Sequence, residues 1–113
     1  MITGFEEYTS ELNDKEKELI PVLIKGFPAY TKDNPIKEPE IVERLRAKGY
    51  KISGARLRKL CNFIRSKSIL PLIGTSKGYF VCYDKGIIIS QIQSLEERAD
   101  AIKVSAEGLK KFL

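Results

Sequence analysis

The sequence predicts a mainly α-helical fold with one small β-hairpin, an α+β arrangement ending in a long C-terminal helix. Three observations lead there. Apolar residues recur at helical spacing in three segments before residue 68. Two apolar, aromatic-containing runs of strand length follow, separated by a polar tip between glycines. After them, Ile88, Ile92, Leu95, Ala99, Ile102, Ala106, Leu109 and Leu113 alternate strictly by four and three residues, an a/d seam. A chain of 113 residues has material for one small core and not for two. The expected division is therefore a compact domain over 1–83 and a heptad helix over 84–113.

Each element has its own signals. Asn13 is a helix cap with Glu16 at the reciprocal capping-box position, and Leu19, Ile20, Leu23, Ile24 and Phe27 follow on one face. Pro21 interrupts this pattern and predicts a kink or a local adjustment; Gly26 and Pro28 predict its end. Ile36 is expected as a strand of one or two residues. A second helix is expected over 39–48, with Pro39 in its first turn, Ile41, Val42 and Leu45 on its buried side, and Gly49 as its stop. Ser53 caps a third helix, 54–67, in which Leu57, Leu60, Cys61 and Ile64 form an amphipathic stripe. Strands are predicted over 69–73 and 79–83, around a tip of Gly74, Thr75, Ser76, Lys77 and Gly78. Pro71 makes the first of them an edge or an irregular strand. Asp84 is the expected cap of the terminal helix.

Composition narrows the chemistry. Histidine is absent, which removes the commonest general base and the His-containing zinc sites. Two isolated cysteines, Cys61 and Cys82, suit free thiols in a reducing cytoplasm better than a disulfide. No phosphate-binding glycine loop or nucleophile elbow is present. Acidic pairs such as Glu6/Glu7 and Glu96/Glu97 read as solvated surface. The expectation is a protein that is not an enzyme and carries no metal or cofactor. No apolar run approaches the ~18 residues of a membrane span. Residues 1–14 hold four acids and no basic residue, unlike a signal peptide, so a cytoplasmic location is expected.

Charge is distributed unevenly. Residues 44–83 contain ten Lys or Arg and no Asp or Glu, while the remainder carries ten basic and fifteen acidic residues. A positive middle between acidic ends is a footprint for a polyanion.

The order helix, short strand, helix, turn, capped helix, hairpin resembles the winged helix, the helix-turn-helix variant with a β-hairpin wing. Two stretches carry the resemblance. One is Gly49-Tyr50-Lys51-Ile52-Ser53-Gly54-Ala55-Arg56-Leu57-Arg58-Lys59-Leu60, and the other is Thr75-Ser76-Lys77-Gly78-Tyr79-Phe80-Val81. The turn after Gly49 is longer than in the compact bacterial helix-turn-helix, which favours the winged form. The whole chain is similar to small winged-helix proteins of prophages and mobile elements of gut anaerobes. The resemblance implies a DNA-binding regulator or accessory factor, with helix 54–67 in the major groove and wing 74–78 on the DNA backbone.

The residues support that partner on physical grounds. Opposite the buried stripe, the third helix carries Ala55, Lys59, Asn62 and Ser66, flanked by Arg56, Arg58 and Arg65. Arg, Lys and Asn match the hydrogen-bonding edges of guanine and adenine in the major groove. Gly54 and Ala55 permit close approach, and the Ser53 hydroxyl at the positive helix end favours a phosphate. Thr75, Ser76 and Lys77 of the wing are expected on the DNA backbone. The expected partners are double-stranded DNA and a second copy, joined through Ile88, Ile92, Leu95, Ala99, Ile102, Ala106 and Leu109. A parallel pair opposes Arg98 to Lys103, whereas an antiparallel pair joins Glu96 to Lys103. The competing class is a protein-interaction module that recruits a replication or packaging partner through the terminal helix.

Overall fold

The structure, a computed structural model, describes residues 11–113. Glu6 and Glu7, read above as solvated surface, lie outside the described residues. The chain divides into two compact units, one ending at Cys82 and the other Tyr83–Leu113.

Helix α1, Asp14–Gly26, begins at the predicted capping box. The Asn13 side chain accepts from the Glu16 N–H at 2.8 Å, and the Glu16 carboxylate accepts from the Asn13 N–H at 2.9 Å. Two of the donors orphaned at a helix start are thereby satisfied. The helix runs through Pro21, whose ring is on the exposed side, and passes into a 3-10 turn, Phe27–Ala29. Helix α2, Glu38–Ala47, starts one residue before the expected Pro39. Gly49 ends it in the left-handed region, at a φ of 93°. Helix α3, Gly54–Ser66, is capped by the Ser53 hydroxyl, which accepts from the Arg56 N–H at 3.2 Å. Its predicted stripe of Leu57, Leu60, Cys61 and Ile64 is completely buried.

The hairpin is shifted from its sequence expectation. Strands β1, Leu72–Thr75, and β2, Gly78–Val81, pair antiparallel with Thr75 opposite Gly78, so only Ser76 and Lys77 form the turn. Pro71 has no N–H to give a ladder, which delays β1. At the other end the Thr75 hydroxyl donates to the Gly78 carbonyl at 3.3 Å and accepts from the Lys77 N–H at 3.2 Å, tightening the turn. Ile36 adds the expected one-residue strand. Its N–H donates to the Tyr79 carbonyl at 2.9 Å, and the Tyr79 N–H donates back at 2.7 Å.

One core joins these elements: Leu19 and Leu23 of α1, Phe27, Ile36, Ile41 and Leu45 of α2, the α3 stripe and Leu72 of β1. Cys61 and Cys82 are both free thiols. Burial is the main cause raising the Cys61 pKa to about 11, so the thiol behaves as a small neutral core group.

The second unit is dominated by helix α4, Lys85–Lys110, with the Asp84 side chain accepting from the Ile87 N–H at 3.0 Å. Among the described residues, no helix is long and apolar enough to cross a membrane.

Candidate functional site

The polar side of α3 and the β1–β2 turn form the candidate site. Because Leu57, Leu60 and Ile64 are locked in the core, the outward direction of α3 is fixed by packing. Lys59, Asn62 and Ser66 share one stripe at i, i+3 and i+7; Lys59 is half-buried and the other two are exposed. Thr75, Ser76 and Lys77 are exposed at the hairpin tip. The Ser66 hydroxyl bonds its own helix through the Phe63 carbonyl at 3.1 Å.

Arg65 connects helix to hairpin. Its Nε donates to the Leu72 carbonyl at 2.8 Å, its Nη1 to the Asn62 side-chain oxygen at 3.3 Å, and its guanidinium lies 5.9 Å from the Tyr79 ring centre. Arg65 therefore holds the hairpin to α3 and orients the Asn62 amide. Tyr79 in turn is half-buried, with its pKa raised to about 12, chiefly by burial, so it remains protonated.

Other expected site residues face inward. Arg56 is clamped on Glu16, with Nε to Oε2 at 2.6 Å and Nη2 to Oε1 at 2.7 Å, both side chains about nine-tenths buried. Its Nη2 also donates to the Glu11 carbonyl at 2.9 Å. The hydrogen bond from Arg56 is the main cause holding the Glu16 carboxyl below its ordinary pKa, against the opposing effect of burial. Ala55 lies opposite the α3 stripe but is buried. The reason is that the first turn of α3 is flanked on two sides, by Glu16 of α1 and by Glu38 of α2.

Glu38 also changes the electrostatics of the helix start. Its carboxylate receives Arg58 Nη1 at 2.8 and 3.1 Å and lies over Gly54, in space that a side chain there would fill. The positive end of α3, expected to favour a phosphate, thus already faces a carboxylate, and the Ser53 oxygen accepts the cap bond from the Arg56 N–H. Arg44, Arg56 and Arg58 all find acids from outside the acid-free segment, at Glu40, Glu16 and Glu38. The sequence footprint of ten cations is accordingly smaller at the surface than its count. Among the described residues no group of three or more His, Cys, Asp or Glu is arranged to hold a metal ion.

Compared with protein-family models, with curated proteins and with solved structures, the chain finds no match.

Proposed function

We propose that the chain is a winged-helix protein that binds duplex DNA, with α3 in the major groove and the β1–β2 turn on the sugar–phosphate backbone. The observation that carries this reading is the outward stripe Lys59, Asn62 and Ser66 on a helix mounted rigidly by its opposite side, beside a hairpin tip bearing Lys77. Lys59 and Asn62 supply donors and an acceptor for base edges, and the short Ser66 leaves room at the far end. Thr75 and Ser76 offer hydroxyls to phosphates next to Lys77. Arg56 serves the fold, and Arg58 balances Glu38. A regulatory or accessory role in a phage or mobile element agrees with the resemblance noted above.

Binding to a labelled random-sequence duplex, followed by fluorescence anisotropy over a salt series, tests the reading. Neutralising about four phosphates gives a log–log slope of about −3.6, a loss of roughly a hundredfold between about 50 and 200 mM salt. The absence of binding by the folded protein at low salt would reject the proposal. In the same assay Lys77→Ala is expected to weaken all sequences about equally. Lys59→Ala and Asn62→Ala are expected to flatten a selected sequence preference by about tenfold. Should Lys77→Ala alone change the preference, the division between helix and tip is the wrong way round.

A further inference from the structure

Helix α4 is one uninterrupted rod, Lys85–Lys110, roughly 39 Å long at 1.5 Å per residue. Along it run Ile88, Ile92, Leu95, Ala99, Ile102, Ala106 and Leu109, spaced by four and three. Ile92, Ile102 and Leu109 expose 47%, 70% and 68% of their surface, Ala99 and Ala106 are exposed as well, and Ile88 and Leu95 are half-buried. A regular row of this kind at the surface marks an association site. We propose that its occupant is a second copy of this chain, with the two α4 helices antiparallel about a two-fold axis passing between Asp100 and Ala101.

Side-chain size supports this register. The antiparallel pair sets Ile92 opposite Leu109 of the second copy, Leu95 opposite Ala106, and Ala99 opposite Ile102. Each alanine then faces a long side chain, and the helix separation stays even along the contact. A parallel pair stacks every position on itself, Ala99 on Ala99 and Ile102 on Ile102. Thin layers then alternate with thick ones, which leaves voids at the alanines.

Charge supports the same choice independently. With the seam as a and d, Glu96 and Lys103 occupy e positions, and Arg98 occupies g. In the antiparallel register Glu96 lies beside Lys103 of the second copy, twice by symmetry. In the parallel register Arg98 meets Lys103, also twice, as like charges.

The oligomeric state is measured without DNA, so this inference and the DNA reading fail separately. Sedimentation equilibrium of the full chain at tens of micromolar and low salt is expected to find a dimer. Ile102→Glu, which sets a charge mid-seam, is expected to leave monomers whose first unit is still folded by circular dichroism and urea titration. Lys103→Glu turns two attractive contacts into two repulsive ones, and should weaken the dimer roughly tenfold. The double change E96K/K103E restores the attraction and should bring the dimer back to within about threefold of wild type. A monomeric wild type would overturn the dimer. A tighter or unaltered dimer in Lys103→Glu would overturn the antiparallel register, because a carboxylate at position 103 of a parallel pair meets Arg98.

Discussion

Arg56→Ala is expected to destabilise the first unit by about 3 kcal/mol while leaving the DNA affinity of the remaining folded protein within about twofold. The first figure follows from burial. The Arg56 and Glu16 side chains retain only 12% and 10% of their surface exposed, and the guanidinium meets both carboxylate oxygens within 2.7 Å. Removing the cation leaves a buried carboxylate that, among the described residues, keeps the Asn13 N–H bond of the capping box. A small domain has roughly 5–15 kcal/mol in total, so this single change takes a large share. Urea unfolding measures it, and a loss below about 0.5 kcal/mol would show that the clamp does not hold α1 to α3.

Acid separates this account from simple loss of packing. The Glu16 pKa is lowered in the fold, so its contribution is present above the ordinary value of 4.5 and is lost as pH falls through the folded value. In Arg56→Ala the lowering by Arg56 is gone, and what remains is burial, which raises the carboxyl pKa, against the Asn13 hydrogen bond, which lowers it. Protonation therefore costs the variant less than the wild type as the pH falls. The stability gap is expected to narrow as the solution is acidified below the ordinary carboxylate range. A gap constant from neutral pH into that range would mean that Arg56 acts by volume and not by charge.

Much of this fold is legible in the sequence, because its elements are delimited by local chemistry. Asn13 with Glu16, Ser53 and Asp84 are capping residues whose partners lie three residues away. The α3 stripe is a matter of period, and even the single-residue strand at Ile36 is readable as an apolar residue between polar turns. What periodicity does not contain is contact at long sequence separation. The Arg56–Glu16 clamp joins residues 40 apart, and Glu38 reaches Arg58 across 20. A helical wheel reports one buried face, whereas the first turn of α3 is enclosed from a second direction, and so Ala55 and Arg56 read as surface. The acid-free stretch hides contacts of the same kind: Arg56 and Arg58 take their carboxylates from Glu16 of α1 and Glu38 of α2.

The hairpin register shows the same limit, and it leads to the second large effect. In sequence, Gly74 and Gly78 appear as equivalent brackets of a loop. In the structure both are strand residues, and Gly78 has a φ of 129° and stands against the backbone of the Ile36 strand. A Cβ at Gly78 would lie 2.5 Å from the Ile36 carbonyl oxygen and 2.7 Å from its carbon. Neither atom can rotate aside as a side-chain tip does. Gly78→Ala therefore combines backbone strain of about 1–3 kcal/mol with damage to the paired hydrogen bonds between Ile36 and Tyr79, worth about 1 kcal/mol each. A loss of about 3 kcal/mol or more is expected. Gly49→Ala provides the control, because Gly49 also has a positive φ, 93°, but its Cβ would meet nothing within 4 Å. That variant bears the conformational cost alone, about 1 kcal/mol. Urea midpoints of the two variants measure the difference between them, which holds the steric share together with the extra strain of the larger φ at Gly78. Equal losses would mean that the Ile36 strand can move away freely and does not fix the hairpin. A larger loss at Gly78 means that the strand sets the angle at which Ser76 and Lys77 leave the domain. Under the DNA reading, the folded Gly78→Ala protein should then bind duplex DNA as weakly as Lys77→Ala, although every basic side chain is still present.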